Sequence, residues 1–198
     1  MGFPVKTKKR AEIMIRDPLP ALCQNAPLGH ADALARLTGE LDAALATPAD
    51  FPRRVRAALL AASKECGFLS PEQCESGAGT YRRHLLAADP DGRYAVAALV
   101  WEPGQASPVH GHQTWCAYAV IEGTLAETLF RWDPITNRAI ETRTHARESG
   151  SVSFVGAGRG AIHQLGNAPG SGRRAVSLHV YGVAATQIAT HVNDLVTV

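Results

Sequence analysis

No segment of the 198-residue chain approaches the roughly 20 consecutive apolar residues that a membrane-spanning helix needs, so no partner membrane is expected. The opening residues, Met1 to Arg10, place charge after a short apolar scrap with no apolar run behind it, so a secretory signal is not expected either. An excess of one charge sign is also missing. Lys plus Arg number 20 against 18 Asp plus Glu, and the resulting +2 argues for no nucleic-acid partner. The single basic cluster, Lys6, Lys8, Lys9 and Arg10, reads as a solvated tail. Cysteine is scarce, and Cys23, Cys66, Cys74 and Cys116 include no pair at zinc-binding spacing; they are expected as reduced thiols in a cytoplasmic protein. There is no fixed-period repeat and no low-complexity tract. What remains is 45% hydrophobic and 19% charged residues, an ordinary globular composition, in a length that one well-buried core can use. A single domain spanning residues 1–198 is therefore expected.

The chain changes character near Gly77. Before it, Leu34, Leu37, Leu41 and Leu45 recur at helical spacing, and a second helical run from Phe51 to Cys66 follows Asp50, a suitable N-cap. Pro52 suits a first helical turn, Gly67 a helix end, and Ser70-Pro71-Glu72-Gln73 one further short turn. The helical part covers about residues 30–76. After Gly77 come short apolar or alternating runs, broken by turn signals such as Asp89-Pro90-Asp91-Gly92, Glu122-Gly123 and Asp133-Pro134. Strands are expected over 81–86, 94–101, 114–121, 124–132, 139–144, 151–154, 160–164 and 175–181. So many short strands at close spacing imply a sandwich or barrel, covering about residues 80–183. The tail from Ala184 fits an edge strand or a packed helix.

Among eight histidines, His110 and His112 stand out. On an extended segment the i, i+2 spacing puts both imidazoles on one face, and the preceding Pro103 to Pro108 stretch suits a barrel rim. Gly104, His110, His112, Cys116 and Gly123 reproduce the spacing of the first cupin motif, with Cys116 where that motif normally carries glutamate. Gly160 to Asn167 resembles the second cupin motif, with His163 as a third imidazole and Gly158 where a proline is usual. Three neutral imidazoles leave a divalent ion its full charge, able to hold a thiol deprotonated with a position to spare. Zinc takes the same ligands, so ligand type does not fix the metal. On a strand, Ser177, His179 and Tyr181 share one face; buried, they must satisfy one another, and outward they would form a polar surface. No Gly-x-Ser-x-Gly elbow supports a serine hydrolase. The glycines from Gly156 to Gly160 precede no Lys-Ser/Thr pair, which excludes a phosphate loop. Trp101, Trp115 and Tyr118 read as packing residues.

Together Tyr81 to Leu86, Pro108 to His112, Ile121 to Gly123, Ile162 to Asn167 and Ala175 to Tyr181 resemble the cysteine dioxygenase family of thiol dioxygenases. The last of these stretches, with its Ser-x-His-x-Tyr, is the most specific. The resemblance implies a mainly β fold: a cupin double-stranded β-helix, or jelly-roll barrel, preceded by N-terminal α-helices. It implies one Fe(II) per chain held by His110, His112 and His163. It also implies a small carboxylated thiol, L-cysteine or a mercapto acid such as 3-mercaptopropionate, oxidised by O2 to its sulfinate. Tyr181 would reach the open face of the iron, supported by His179 and Ser177. Arg83 would bind the substrate carboxylate beside Tyr81, with Arg82 as the rival, since the strand sends only one of them inward. In animal members of that family a cysteine at the Cys116 point forms a thioether with the active-site tyrosine; here the segment from His112 is one residue shorter. A monomer or homodimer is compatible with the fold. The rival readings are a non-catalytic cupin regulator binding a metal or small molecule, and a sugar- or keto-acid-processing cupin with another metal.

Overall fold

The computed structural model describes residues 29–198. The basic cluster at Lys6 to Arg10 and Cys23 lie outside the described residues. Helix α1 (His30–Leu45) grows from the leucine periodicity, and buries Leu37 and Leu41 with Ala33 and Ala44 on one stripe. A 3-10 turn over Pro48–Asp50 leads into α2 (Phe51–Ser63), with Asp50 at the N-cap and Pro52 in the first turn, as expected. Asp50 does not cap the backbone with its side chain; it binds the Arg53 guanidinium instead, at 3.2 and 2.8 Å. Helix α2 also stops short of Gly67. Lys64 and Glu65 close tighter turns onto Ala61 and Ala62, and Gly67 takes φ 74° in the loop beyond. The expected short turn is the 3-10 segment Pro71–Cys74, where Gln73 Oε1 accepts the Ser70 N–H at 3.0 Å. No described helix is long and apolar enough to cross a membrane.

Ten strands follow: β1 (Arg82–Ala88), β2 (Ala95–Trp101), β3 (His110–His112), β4 (Cys116–Glu122), β5 (Thr124–Asp133), β6 (Arg138–Glu148), β7 (Val152–Val155), β8 (Gly158–Gly166), β9 (Ala175–Tyr181) and β10 (Asn193–Leu195). They form two five-stranded sheets, ordered β1-β2-β9-β4-β7 and β10-β3-β8-β5-β6. Every pairing is antiparallel. This is the cupin double-stranded β-helix preceded by two helices. The tail resolves as the short edge strand β10, which lies against β3.

The central strands of the first sheet, β2 and β9, are buried on both faces. The sheet's outward residues Val96, Ala117, Ala119, Leu178 and Val180 pack with Leu37, Leu41, Val55 and Leu59 of the helices. Its inward residues Ala97, Leu99, Trp101, Tyr118 and Val120 pack against Leu125 and Leu165 of the second sheet. Hence β2 reads as an unbroken apolar run rather than an alternating one. Where β4 turns into β5, Gly123 has φ 73°, and a Cβ there would come within 2.8 Å of the Arg174 carbonyl oxygen. The turn therefore requires glycine.

One expectation fails. Cys74 and Cys116 are free thiols, but Cys66 is disulfide-bonded, so the cysteines are not all reduced.

Candidate metal centre

His110 and His112 lie on β3, His163 on β8, and the two strands pair with His110 opposite His163. An irregularity then sets His112 opposite Gly158. Gly158 has φ 103°, which a proline ring locked near −65° cannot adopt; this accounts for the departure from the usual motif. The ring centroids are 5.2, 4.8 and 5.0 Å apart, and one ligand nitrogen from each histidine lies within 4.8 Å of the others. All three rings are buried.

Hydrogen bonds settle which nitrogens are available. His110 Nδ1 sits 2.8 Å from the Pro108 carbonyl oxygen, which only accepts, so Nδ1 carries the proton and Nε2 is bare. His163 Nδ1 sits 2.7 Å from Glu127 Oε1, an oxygen that only accepts, so Nδ1 carries a proton there too. His112 Nδ1 is buried without a well-formed hydrogen bond, although the Ala161 backbone favours its charged form. Burial, then the neighbouring His163, pushes His110 down to about 4. The same causes, with His110 added, take His112 to about 3. A divalent ion takes an imidazole nitrogen that carries no proton, and the Nδ1–H tautomer offers Nε2 for that, so the donor set fits a metal.

Facing the triad are side chains of the first sheet. Arg83 and Arg82 part as alternation requires. Arg83 pairs with the inward-facing Leu99, and its guanidinium stands 5.6 Å from the Tyr181 ring centre. One of its nitrogens donates to the Ile188 carbonyl at 2.9 Å, while Nε is buried without a partner and no carboxylate pairs with it among the described residues. Arg82 points out to Glu75 at 3.3 Å. Tyr81 lines the cavity and stacks on Trp101 at 4.3 Å.

On β9, Ser177, His179 and Tyr181 are buried and face inward, so they do not form a polar surface. Trp101 Nε1, a donor only, gives its hydrogen to Ser177 Oγ at 2.9 Å. Ser177 Oγ lies 2.9 Å from His179 Nε2, and His179 Nδ1 lies 3.2 Å from the Tyr181 hydroxyl. The economical polarity runs Trp101 to Ser177 to His179 to Tyr181, which leaves the Tyr181 hydrogen free for the cavity. Burial holds His179 neutral, and the Arg83 charge and the three ligand imidazoles act in the same direction. Burial also raises the Tyr181 hydroxyl. Cys116 sits directly opposite Tyr181 across the β4–β9 pair, and burial pushes its thiol up to about 12.

Two residues of this region carry no signature in the sequence. Trp101 packs as expected but also starts the β9 chain. Glu127 on β5 meets His163 from behind, and only its place on the inner face, level with Leu125, hints at it. Of the remaining histidines, His145 stands 3.2 Å from Glu127, while the others lie elsewhere: His30 binds the Phe68 carbonyl, His84 binds the Glu75 carbonyl at 2.8 Å, and His191 meets Thr190 at 2.7 Å.

Comparison with known proteins adds to this geometry. The cysteine dioxygenase type I family matches residues 77–192. Cysteine dioxygenase type 1 of Rattus norvegicus is 29% identical over 103 residues, which make up 51% of this chain and 50% of that protein. The Homo sapiens protein of the same name is 28% identical over the same shares. The chain thus spans about half the length of the curated relatives it matches. Among solved structures, TT1209 from Thermus thermophilus is 19% identical, covers 57% of this chain and 91% of its own, and gives a TM-score of 0.44. A cupin family protein of double-stranded β-helix fold from Methanocaldococcus jannaschii is 14% identical, covers 59% and 92%, and gives 0.41. With the triad, the inward arginine and the β9 chain all inside the matched residues, this chain belongs to the cysteine dioxygenase type I family.

Proposed function

We propose that the protein is an Fe(II)-dependent thiol dioxygenase, which converts a small carboxylated thiol and O2 to the sulfinate. The substrate would be L-cysteine or a mercapto acid such as 3-mercaptopropionate. The observation that carries this is the cavity itself: three imidazoles face Arg83, whose guanidinium has no carboxylate partner among the described residues. A ferrous ion held by His110, His112 and His163 would keep the substrate sulfur as thiolate and supply the redox chemistry for dioxygen. Both oxygen atoms end on sulfur, which gives up the four electrons that O2 takes, so no external reductant is needed.

The chain's own side chains do the rest. Arg83 binds the substrate carboxylate and so fixes the distance from carboxylate to sulfur. A half-buried guanidinium with an unsatisfied Nε and no anion beside it is costly, and a substrate carboxylate relieves that cost. Tyr81, stacked on Trp101, closes one side of the cavity. Tyr181 offers its hydroxyl hydrogen inward, held in that sense by His179 and Ser177. Cys116, opposite Tyr181 across the strand pair, would be the partner in a thioether to the tyrosine ring, with O2 as the oxidant that takes up the two hydrogens lost. An intact mass short by two hydrogens after turnover, lost in Cys116→Ala, would support the crosslink; an unmodified mass would refute it.

The whole chain acts as one cupin unit in this proposal, as a monomer or homodimer. The cytoplasm is its expected location. The free thiols of Cys74 and Cys116 accord with that, and the Cys66 disulfide pulls against it.

The deciding experiment measures oxygen uptake by the iron-loaded protein with L-cysteine, 3-mercaptopropionate and mercaptosuccinate, and quantifies the product. One sulfinate per O2 with at least one of them is expected. No thiol-dependent uptake with any of them would overturn the proposal.

A further inference from the structure

Among the described residues only two carboxylates are buried, Asp89 and Glu127. Asp89 lies in the β1–β2 turn and is locked to Arg93 at 2.6 Å. Glu127 lies on the inner face of β5, beside Leu165 on β8 and opposite His145 on β6. Its Oε1 stands 2.7 Å from His163 Nδ1. Its Oε2 stands 3.2 Å from His145 Nε2 and 3.6 Å from Arg147 Nε. Burial raises this carboxyl, but the His163, Arg147 and Tyr118 contacts outweigh it, and the net direction is downward.

A buried carboxylate is expensive, and replacing one by an apolar residue is often neutral or stabilising. Packing alone therefore gives no reason for Glu127. Its contact with the one ligand histidine that comes from the distant strand does. The first cupin motif normally carries a carboxylate among its ligands, and here Cys116 occupies that place. Glu127 restores a negative charge one hydrogen bond further out. From there it acts on the ion through His163 without taking up a position that substrate or dioxygen needs.

We propose that Glu127 is a positioning residue of the metal centre: it holds His163 as the Nδ1–H tautomer, aims its bare Nε2 into the triad and raises its donor strength. His145 Nε2 at 3.2 Å and Arg147 Nε at 3.6 Å face the far oxygen and lie where they favour its charged form. The proposal rests on the triad being a metal site, and is independent of which metal or thiol the protein uses.

Two measurements test it on the full chain, with E127Q and E127L beside the unaltered protein. The first is a long-range proton–nitrogen NMR spectrum of chelator-treated protein, which reads the imidazole tautomers directly. His163 is expected as Nδ1–H, retained in E127Q, whose amide oxygen still accepts, and split between two tautomers in E127L. The second is Co(II) affinity by competition with a chromogenic chelator. Outer carboxylates of this kind are worth about 10–100-fold in affinity, so E127L should lose that much and E127Q, which keeps the acceptor but not the charge, about 5–10-fold. A wild-type His163 carrying its proton on Nε2 would overturn the proposal, and so would E127Q binding Co(II) within about threefold of wild type. E127Q and the wild-type spectrum decide the matter even if E127L does not fold. Failure of every protein to bind Co(II) would sink the metal site, while the tautomer spectra would still judge Glu127.

Discussion

The two sheets divide the site between them. The second sheet supplies the three imidazoles, from β3 and β8, with Glu127 behind them on β5. The first supplies Arg83 on β1, Trp101 on β2, Cys116 on β4 and the Ser177–His179–Tyr181 face on β9. They also differ in their surroundings. Strands β2 and β9 are buried on both faces, because α1 and α2 cover the outside of their sheet. Strand β6 of the second sheet is mostly exposed. The three imidazoles thus stand in the sheet whose outer strand carries solvent-exposed charges. The hydrogen-bond chain of β9 runs through the driest part of the molecule, where a buried polar group without a partner is most costly.

Substitutions in each sheet should therefore fail differently. The largest effect belongs to the second sheet. His163→Ala should abolish both iron retention and oxygen uptake, measured by metal analysis and an oxygen electrode; normal uptake by an iron-free variant would break the division. In the first sheet, Tyr181→Phe should keep its iron and lose about 10²-fold in kcat, the scale of a positioned proton donor. Arg83→Met should also keep its iron and lose about 10–100-fold in kcat/KM, mainly through KM, since a charge-assisted contact is worth about 1.5–3 kcal/mol. Arg82→Ala, which alters an exposed contact with Glu75, should leave both constants within about twofold. The smallest effect among the buried positions is expected for Trp101→Phe. It removes one hydrogen bond to Ser177 and should slow kcat about fivefold with iron content unchanged. A loss of iron in any first-sheet variant would show that the sheets do not act separately.

Several features were legible because they depend on local alternation or spacing. His110 and His112 share a face of β3 as any i, i+2 pair on a strand must, and β9 runs from Ala175 to Tyr181 just as its apolar-polar alternation indicates. Strand β6 was harder. It extends to Glu148, beyond the expected end at Thr144, because β5 opposite it continues pairing through charged residues that a propensity reading discounts. Helix α2 ends before Cys66 in tightened turns, and beyond its end Glu65 reaches Arg36 of α1 at 2.6 Å, a tertiary contact invisible in the local pattern. Glu127 escaped notice because a glutamate in an alternating strand reads as outward unless the register shows that its face is the inner one.

Residue chemistry and the periods of helix and strand were enough for the element types, the His110–His112 pair and the common face of Ser177, His179 and Tyr181, while His163 was marked only by resemblance to the second cupin motif. Tertiary structure alone decided that Arg83 rather than Arg82 turns inward, that Trp101 feeds Ser177, that Cys116 meets Tyr181, and that Glu127 stands behind His163. Those four outcomes depend on strand register and sheet closure. Both are set by burying every face of the barrel at once, and no local stretch of sequence records that condition.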